Sequence, residues 1–450
     1  MKLSINTLFG RPVSAALLLL CAGLSAQDPI PPPSPVKNPA AVSLVGDWQI
    51  KVTYHGKSAI FDIVPPEMVT VTDEKYESLL PFSPAGPPWR RATVLTPLTA
   101  EECSVENGLV PGSLSVSFEP EGEPLVPGVD YILDTVNANI GRKEGGRIGS
   151  DTPVYITYRY IPKRIDSVVY TGHKMRLVPG IPRACNPIPP SLDGGETRLV
   201  NIFLSSETKE KLTDENLFPI LDDGELLIPR KAVAKILLPK TWEKLNNGEP
   251  IKILAWGDSV TAGEYVLDEE KWQSVFIKRL RERFPNAEIE LVSEAWGGRT
   301  TADYLHQPPG SEHNYHEKVL GVHPDLIVTE FVNDCGGAVD QLREIYAGLK
   351  HDFDKIGAEW IIVGPHYIRP SWMGLTSQKN IDDDPRPYTA FIRAFGKENN
   401  IPVAETPILY GRLWRQGIPY VTLMVNDINH PNPYGLSLFA DALMVLFGKE

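Results

Sequence analysis

Four separated groups of residues could together carry covalent acyl chemistry. The first is Gly257-Asp258-Ser259-Val260-Thr261, directly after the apolar run Ile251–Trp256. The second lies far along the chain, at Asp427-Ile428-Asn429-His430-Pro431-Asn432-Pro433. A serine hydroxyl is a poor nucleophile until a base takes its proton. An imidazole does this near neutral pH when a carboxylate fixes its tautomer and stabilises the imidazolium. Asp427, three residues before His430 in a proline-stiffened turn, could bring a carboxylate to Nδ1 and leave Nε2 for Ser259. The third and fourth groups are Ser293-Glu294-Ala295-Trp296-Gly297-Gly298-Arg299-Thr300 and Val332-Asn333-Asp334, after the apolar runs Ile289–Val292 and Leu326–Phe331. A tetrahedral intermediate needs fixed donors, and the N–H groups of Ser259 and Gly298 with the Asn333 side-chain amide could supply three. Each group alone has a plainer reading. Ser259 could cap a helix, Asp427 could be a cap beside a surface His430, and Gly298 and Asn333 could be turn residues.

The elements that would position these residues are strands alternating with helices. After about residue 241, strand-like runs at Ile251–Trp256, Ile289–Val292, Leu326–Phe331 and Trp360–Val363 are separated by helical patterns. In 268–284, Trp272, Phe276, Leu280 and Phe284 recur every four residues and give one buried face. Asp384 followed by Pro385 reads as a cap and first helical position, opening a helix through Tyr388, Phe391, Ile392 and Phe395. A terminal helix spans 434–447. This alternation implies a parallel sheet covered on both sides, with ligands gathering at the carboxyl ends of its strands. Residues 42–240 differ. Segments such as 48–54, 113–118 and 154–160 alternate with period two, and most of the 42 prolines fall in the first half of the chain. They predict a β-rich region, either a sandwich or a pair of small β units.

The joint order of a serine, a glycine, an asparagine and Asp-x-x-His, each after a strand, resembles the SGNH (GDSL-like) hydrolase family. The matching residues are Gly257-Asp258-Ser259, Gly298, Asn333 and Asp427/His430, and the resemblance covers roughly 250–448. It implies a flavodoxin-like three-layer α/β/α domain that hydrolyses esters through an acyl-enzyme, with neither metal nor organic cofactor. Ser259 would attack, His430 would take and return the proton, and Asp427 would hold His430. Ser259 and Gly298 N–H groups and Asn333 Nδ2 would bind the oxyanion. The sequence departs from the family where Ser293, Ala295 and Phe331 replace its usual asparagine and glycines.

The remaining signals concern location and substrate. Lys2 and Arg11, the apolar core 13–20 and small residues through Ala26 read as an export signal over 1–26. A proline-rich tether over 27–41 follows, then the β-rich region 42–240 and the hydrolase region 241–450. The protein is thus expected to be secreted or periplasmic, with cleavage near Ala26 favoured over lipid anchoring through Cys21. Export permits a disulfide, and Cys103 with Cys185 is the natural pair, leaving Cys335 free. A formal charge of −13, from 44 basic and 57 acidic residues, disfavours nucleic acid and anionic membrane as partners. No stretch after the leader is long and apolar enough to span a bilayer. His306, His313 and His316 share a Pro- and Gly-containing loop without helical i, i+4 pairing, so a metal site is not expected. Trp296, Tyr367, Trp372 and Tyr434 could stack on sugar rings, though aromatic residues at strand ends more often pack. The expected substrate is an acylated polysaccharide or oligosaccharide losing short acyl groups, acetyl foremost. A lipid-directed esterase and a non-catalytic glycan-binding protein are the alternatives.

Overall fold

The apolar runs after residue 241 form one five-stranded parallel sheet. Its strands are β1 (Pro250–Gly257), β2 (Glu288–Ala295), β3 (Leu326–Glu330), β4 (Glu359–Val363) and β5 (Val403–Ala404), arranged 2-1-3-4-5. This is the flavodoxin-like order, in which the strand sequence reverses direction between β1 and β3. The computed structural model describes residues 33–208, 210–226 and 232–448. The expected leader, with Cys21, lies outside the described residues.

Side-chain alternation along the strands sorts two cores. Leu254 and Trp256 of β1, Ile327 of β3 and Trp360 and Ile362 of β4 share one cluster with two helices. These are α2 (Val339–Ile356), which contributes Tyr346, Leu349 and Phe353, and α3 (Pro387–Asn399), which contributes Phe391, Ile392 and Phe395. Ile253, Ala255, Val328 and Ile361 are equally buried and face the other way. On that side α1 (Trp272–Arg283) packs on α4 (Pro433–Phe447), with the rings of Phe276 and Phe447 5.8 Å apart. The four-residue repeat read from the sequence is the buried face of α1, where Trp272, Phe276 and Leu280 are all inaccessible.

Two helix details differ from expectation. The third helix begins at Pro387 rather than at Pro385. Asp384 caps nothing; its carboxylate accepts the Nε and Nη2 of Arg386 in a buried ion pair. β5 went unread because two residues after Pro402 give no usable period.

The chain divides into two compact units, and the expected single cut at residue 240 is not where it divides. One unit comprises Pro35–Asp222 with Trp414–Asn429; the other comprises Asp223–Leu413 and the chain from His430 onward. The first is strand-rich and antiparallel, with two separate cores. One core brings the meander Ala41–Gly46, Gln49–Tyr54, Lys57–Asp62 onto a four-stranded sheet through Ile50, Val52, Val168, Val200 and Ile202. The other gathers Val116, Val154, Ile156 and Tyr158 with Tyr131 and Ile140. Part of the expected tether is structured: the Val36 N–H donates to the Leu221 carbonyl at 2.7 Å. Cys103 and Cys185 are not joined by the expected disulfide, and the Cys185 thiol donates to the Val425 carbonyl at 3.6 Å. Among the described residues no helix is long and apolar enough to cross a membrane.

Ile327 sits at the centre of the parallel sheet with no exposed surface. Ile327→Ala is expected to lower unfolding stability by about 2–5 kcal/mol, because the sheet cannot collapse onto the cavity. Chemical denaturation monitored by tryptophan fluorescence checks it.

Candidate active site

The turn that carries Ser259 is made possible by a glycine. A Cβ on Gly257 would lie 2.1 Å from Thr261 Oγ1 and 2.4 Å from the Glu330 carbonyl oxygen. Only glycine therefore lets β1 end against β3 while the chain folds straight into the helical turn Ser259–Ala262. Asp258 caps that turn, its Oδ1 accepting the Val260 N–H at 3.0 Å. Ser259 is thus held half-buried at the carboxyl end of β1, beside the reversal point of the sheet. His430 comes from just before α4, whose Asn432 cap accepts the Gly435 N–H at 2.9 Å and whose first position is Pro433. The structure brings the two together: Ser259 Oγ and His430 Nε2 are 2.9 Å apart. With the imidazole proton on Nδ1, the serine hydroxyl donates to Nε2. Tyr265 stacks on the imidazole, centroids 4.5 Å apart and planes 8° from parallel, which fixes the ring plane.

The two expected oxyanion segments are fastened to the same turn. After β2, the Trp296 N–H and the Tyr304 hydroxyl both donate to the Gly257 carbonyl, at 3.1 and 3.3 Å. A Cβ on Gly297 would lie 3.7 Å from Ser259 Cβ, so this loop passes next to Ser259. Gly298 follows with φ of +71°, a left-handed conformation that glycine adopts without strain. After β3, Asn333 is bound to Asp258, whose Oδ2 accepts both the Asn333 N–H at 3.1 Å and its Nδ2 at 2.9 Å. The second Nδ2 hydrogen has a longer contact of 3.4 Å to the Arg299 carbonyl. It is the longest of the hydrogen bonds that Asn333 donates. Asp334 closes the arrangement by accepting the Thr301 N–H and hydroxyl, each at 3.0 Å, and the Tyr346 hydroxyl at 3.0 Å.

Burial dominates the electrostatics. It pushes the Asp334 carboxyl up to about 6, against the donors of Thr301 and Tyr346. Asp258 is raised by burial as well, opposed by the N–H groups of Val260 and Asn333. Cys335, beside Asn333, is pushed up to about 12 by burial, so its thiol is inert packing.

Asp427 lies in the segment that folds with the β-rich unit. It has φ of +61°, and its carboxylate accepts the Glu106 N–H at 3.2 Å and pairs with Lys163 Nζ. Neither partner carried a sequence signal, since both lie more than 260 residues away. The stacking candidates separate. Tyr367 is fully buried and donates its hydroxyl to the Ile381 carbonyl at 2.6 Å, so it offers no ring face to a ligand. The Tyr434 phenol is desolvated, and burial raises it. Trp296 is engaged by the His313 ring at 4.7 Å and the Arg299 guanidinium at 4.8 Å, while His313 Nδ1 bonds Glu294 Oε1 at 2.7 Å. Trp372 alone of the four is exposed, at 44%, with Arg369 5.7 Å from its ring centroid.

Residues 255–437 match the family of GDSL-like lipases/acylhydrolases. A search of curated proteins returned no match. Among solved structures, a two-domain esterase active on acetylated mannans is similar at 20% identity and a TM-score of 0.38; the match covers 47% of this chain and 52% of that one. This chain therefore spans about half the length of that esterase. An acetylxylan esterase from Geobacillus stearothermophilus is similar at 18% identity and a TM-score of 0.36, covering 44% of this chain and 95% of its own.

The Asp258 carboxylate accepts three N–H groups, so Asp258→Asn must turn an amide donor toward at least one of them. The expected outcome is a fall of about 10²-fold in turnover, the size of losing one oriented donor, with KM little changed. Steady-state kinetics on a soluble ester, alongside circular dichroism to verify folding, checks this.

Proposed function

From a chain whose residues 255–437 carry a GDSL-like lipase/acylhydrolase domain, we propose a serine ester hydrolase that removes short acyl groups, acetyl foremost, from carbohydrate. The observation that carries the reading is the 2.9 Å pair of Ser259 Oγ and His430 Nε2 at the carboxyl end of a parallel strand. In this scheme His430 Nε2 takes the hydroxyl proton as Ser259 Oγ attacks the acyl carbon. The oxyanion is met by the N–H groups of Ser259 and Gly298 and by Asn333 Nδ2. Collapse expels the alcohol, which receives the proton from His430, and leaves an acyl group on Ser259. Water, deprotonated by His430, then releases the acid and restores the serine. Asp427 is assigned to hold the Nδ1 proton of His430, three residues along the chain.

The carbohydrate part of the reading is supported by Trp372, an exposed indole in the turn Pro370–Met373 that follows β4. Its ring suits the apolar face of a sugar. Export, read from residues 1–26, belongs to the same proposal and would place the enzyme where such polymers are met.

A fluorophosphonate probe is expected to label the wild-type chain and not Ser259→Ala. His430→Ala should lower kcat by about 10⁶-fold and Asn333→Ala by about 10²–10³-fold. Labelling that survives Ser259→Ala would refute the scheme. For the substrate, acetate release from acetylated glycans should be brisk, and p-nitrophenyl acetate should be cleaved faster than the octanoate. The reverse chain-length order, with no glycan deacetylated, would reassign the enzyme to lipid esters.

Lys163→Met removes the cation paired with the Asp427 carboxylate and leaves a largely buried charge with fewer partners. The expected cost is about 2–3 kcal/mol of stability, with reduced turnover on a small soluble ester. Thermal denaturation and kinetics measured together check it.

A further inference from the structure

A carboxyl group that the hydrolytic scheme does not use lies directly beneath the nucleophile's turn. Glu330 ends β3 and is 1% exposed. Its Oε2 accepts the Thr261 hydroxyl at 2.9 Å, and Oε1 has no hydrogen-bond partner among the described residues. Thr261 belongs to the same helical turn as Ser259 and also accepts Trp272 Nε1 at 3.2 Å. The backbones of the two acidic residues touch, the Asp258 N–H donating to the Glu330 carbonyl at 3.3 Å.

The groups facing Glu330 are all acids: Asp258 after β1, Asp334 after β3, Tyr388 of α3 and Tyr410 of the helix Thr406–Gly411. Among the described residues no lysine, arginine or histidine forms an ion pair with it. Two neighbouring buried carboxyls do not both ionise when the one basic group beside them, His430, acts on Asp258. The charge settles where the donors are: Asp258 has three N–H groups, and Glu330 has the Thr261 hydroxyl and the pull of the Val332 N–H.

We propose that Glu330 is a resident neutral acid, keeping one proton through neutral pH so that Asp258 alone carries the charge that anchors Asn333 and the Ser259 turn. Burial, then the charge of Asp258, raises Glu330 well above the ordinary carboxylate range, against the pull of Thr261 and of the Val332 N–H. Glu330 touches no reacting atom; it is a positioning residue acting through Asp258 and Thr261. Its contribution to turnover rests on the ester-hydrolase reading, but its protonation does not.

Infrared spectroscopy of the full chain at pH 7 tests the proton directly. An un-ionised carboxylic acid band should be present, should shift when glutamate side-chain carboxyls are ¹³C-labelled, and should be missing from Glu330→Gln. The labelling arm needs no variant. Stability gives a second readout. A carboxyl raised in the folded state contributes fully below its unfolded value of about 4.5 and loses that contribution as pH rises toward its folded value. The folded-to-unfolded ratio of wild type should therefore fall relative to Glu330→Gln by about tenfold per pH unit above about pH 5. Glu330→Gln, the neutral isostere, should rescue most of the turnover lost in Glu330→Ala. No labelled acid band at pH 7, or stability curves that run parallel in pH, would overturn the proposal. An acid band in a protein that hydrolyses no ester would leave it standing and sink the enzyme reading instead.

Discussion

Three N–H groups converge on the Asp258 carboxylate, and the geometry of the site follows from that convergence. One belongs to the helical turn of Ser259 and two belong to Asn333, on the far side of the sheet's reversal point. One buried carboxyl group therefore sets the distance between Ser259 and Asn333. Burying a charge is costly, and only saturation with donors makes it tolerable. Asp334 repeats the device one residue beyond Asn333, fastening the Gly298 loop through Thr301 and the helix α2 through Tyr346. The segments after β1, β2 and β3 are thus joined by acceptors inside the protein.

The fold of the catalytic half was largely legible in the sequence. Apolar runs of strand length, a four-residue helical repeat and prolines at helix starts are local signals, and four of the five parallel strands carry them. The serine and histidine were legible because the chemistry admits few residue types and each followed a recognisable strand or preceded a recognisable helix. What stayed hidden depends on contacts between distant residues. Tyr265 stacking on His430, Lys163 pairing with Asp427 and the buried proximity of Asp258 and Glu330 leave no periodic trace. Asp384-Pro385 misled for a related reason: the local pattern of a cap was present, but the buried guanidinium of Arg386 claimed the carboxylate. The unbridged thiols of Cys103 and Cys185 show the limit of pairing by counting, because compartment permits a bond without dictating one.

Glycine does work in this site that no side chain could replace. Gly257 lets two backbones and a threonine hydroxyl approach within distances that exclude a Cβ, and Gly298 turns its loop in a left-handed conformation. The aromatic cluster under them is correspondingly dense. Trp256 meets Tyr304 at 5.3 Å and Phe331 at 5.0 Å, each edge to face, so the loops rest on a rigid floor. Such a floor favours preorganised donors over donors gathered on binding, the arrangement that stabilises developing charge without reorganisation.

The β-rich unit is discontinuous, taking in Trp414–Asn429 after the chain has already built most of the parallel sheet. Those residues supply partners the earlier strands need: the Gly417 carbonyl accepts Asn201 Nδ2 at 2.6 Å, and the Arg415 carbonyl accepts the Leu221 N–H at 2.7 Å. On a ribosome, residues 35–222 would thus wait, incomplete, until residues 414–429 emerged. Gene fusions or truncations that treat residues 42–240 as a free-standing cassette would cut through a unit whose final stitches are sewn about 190 residues downstream, by residues 414–429.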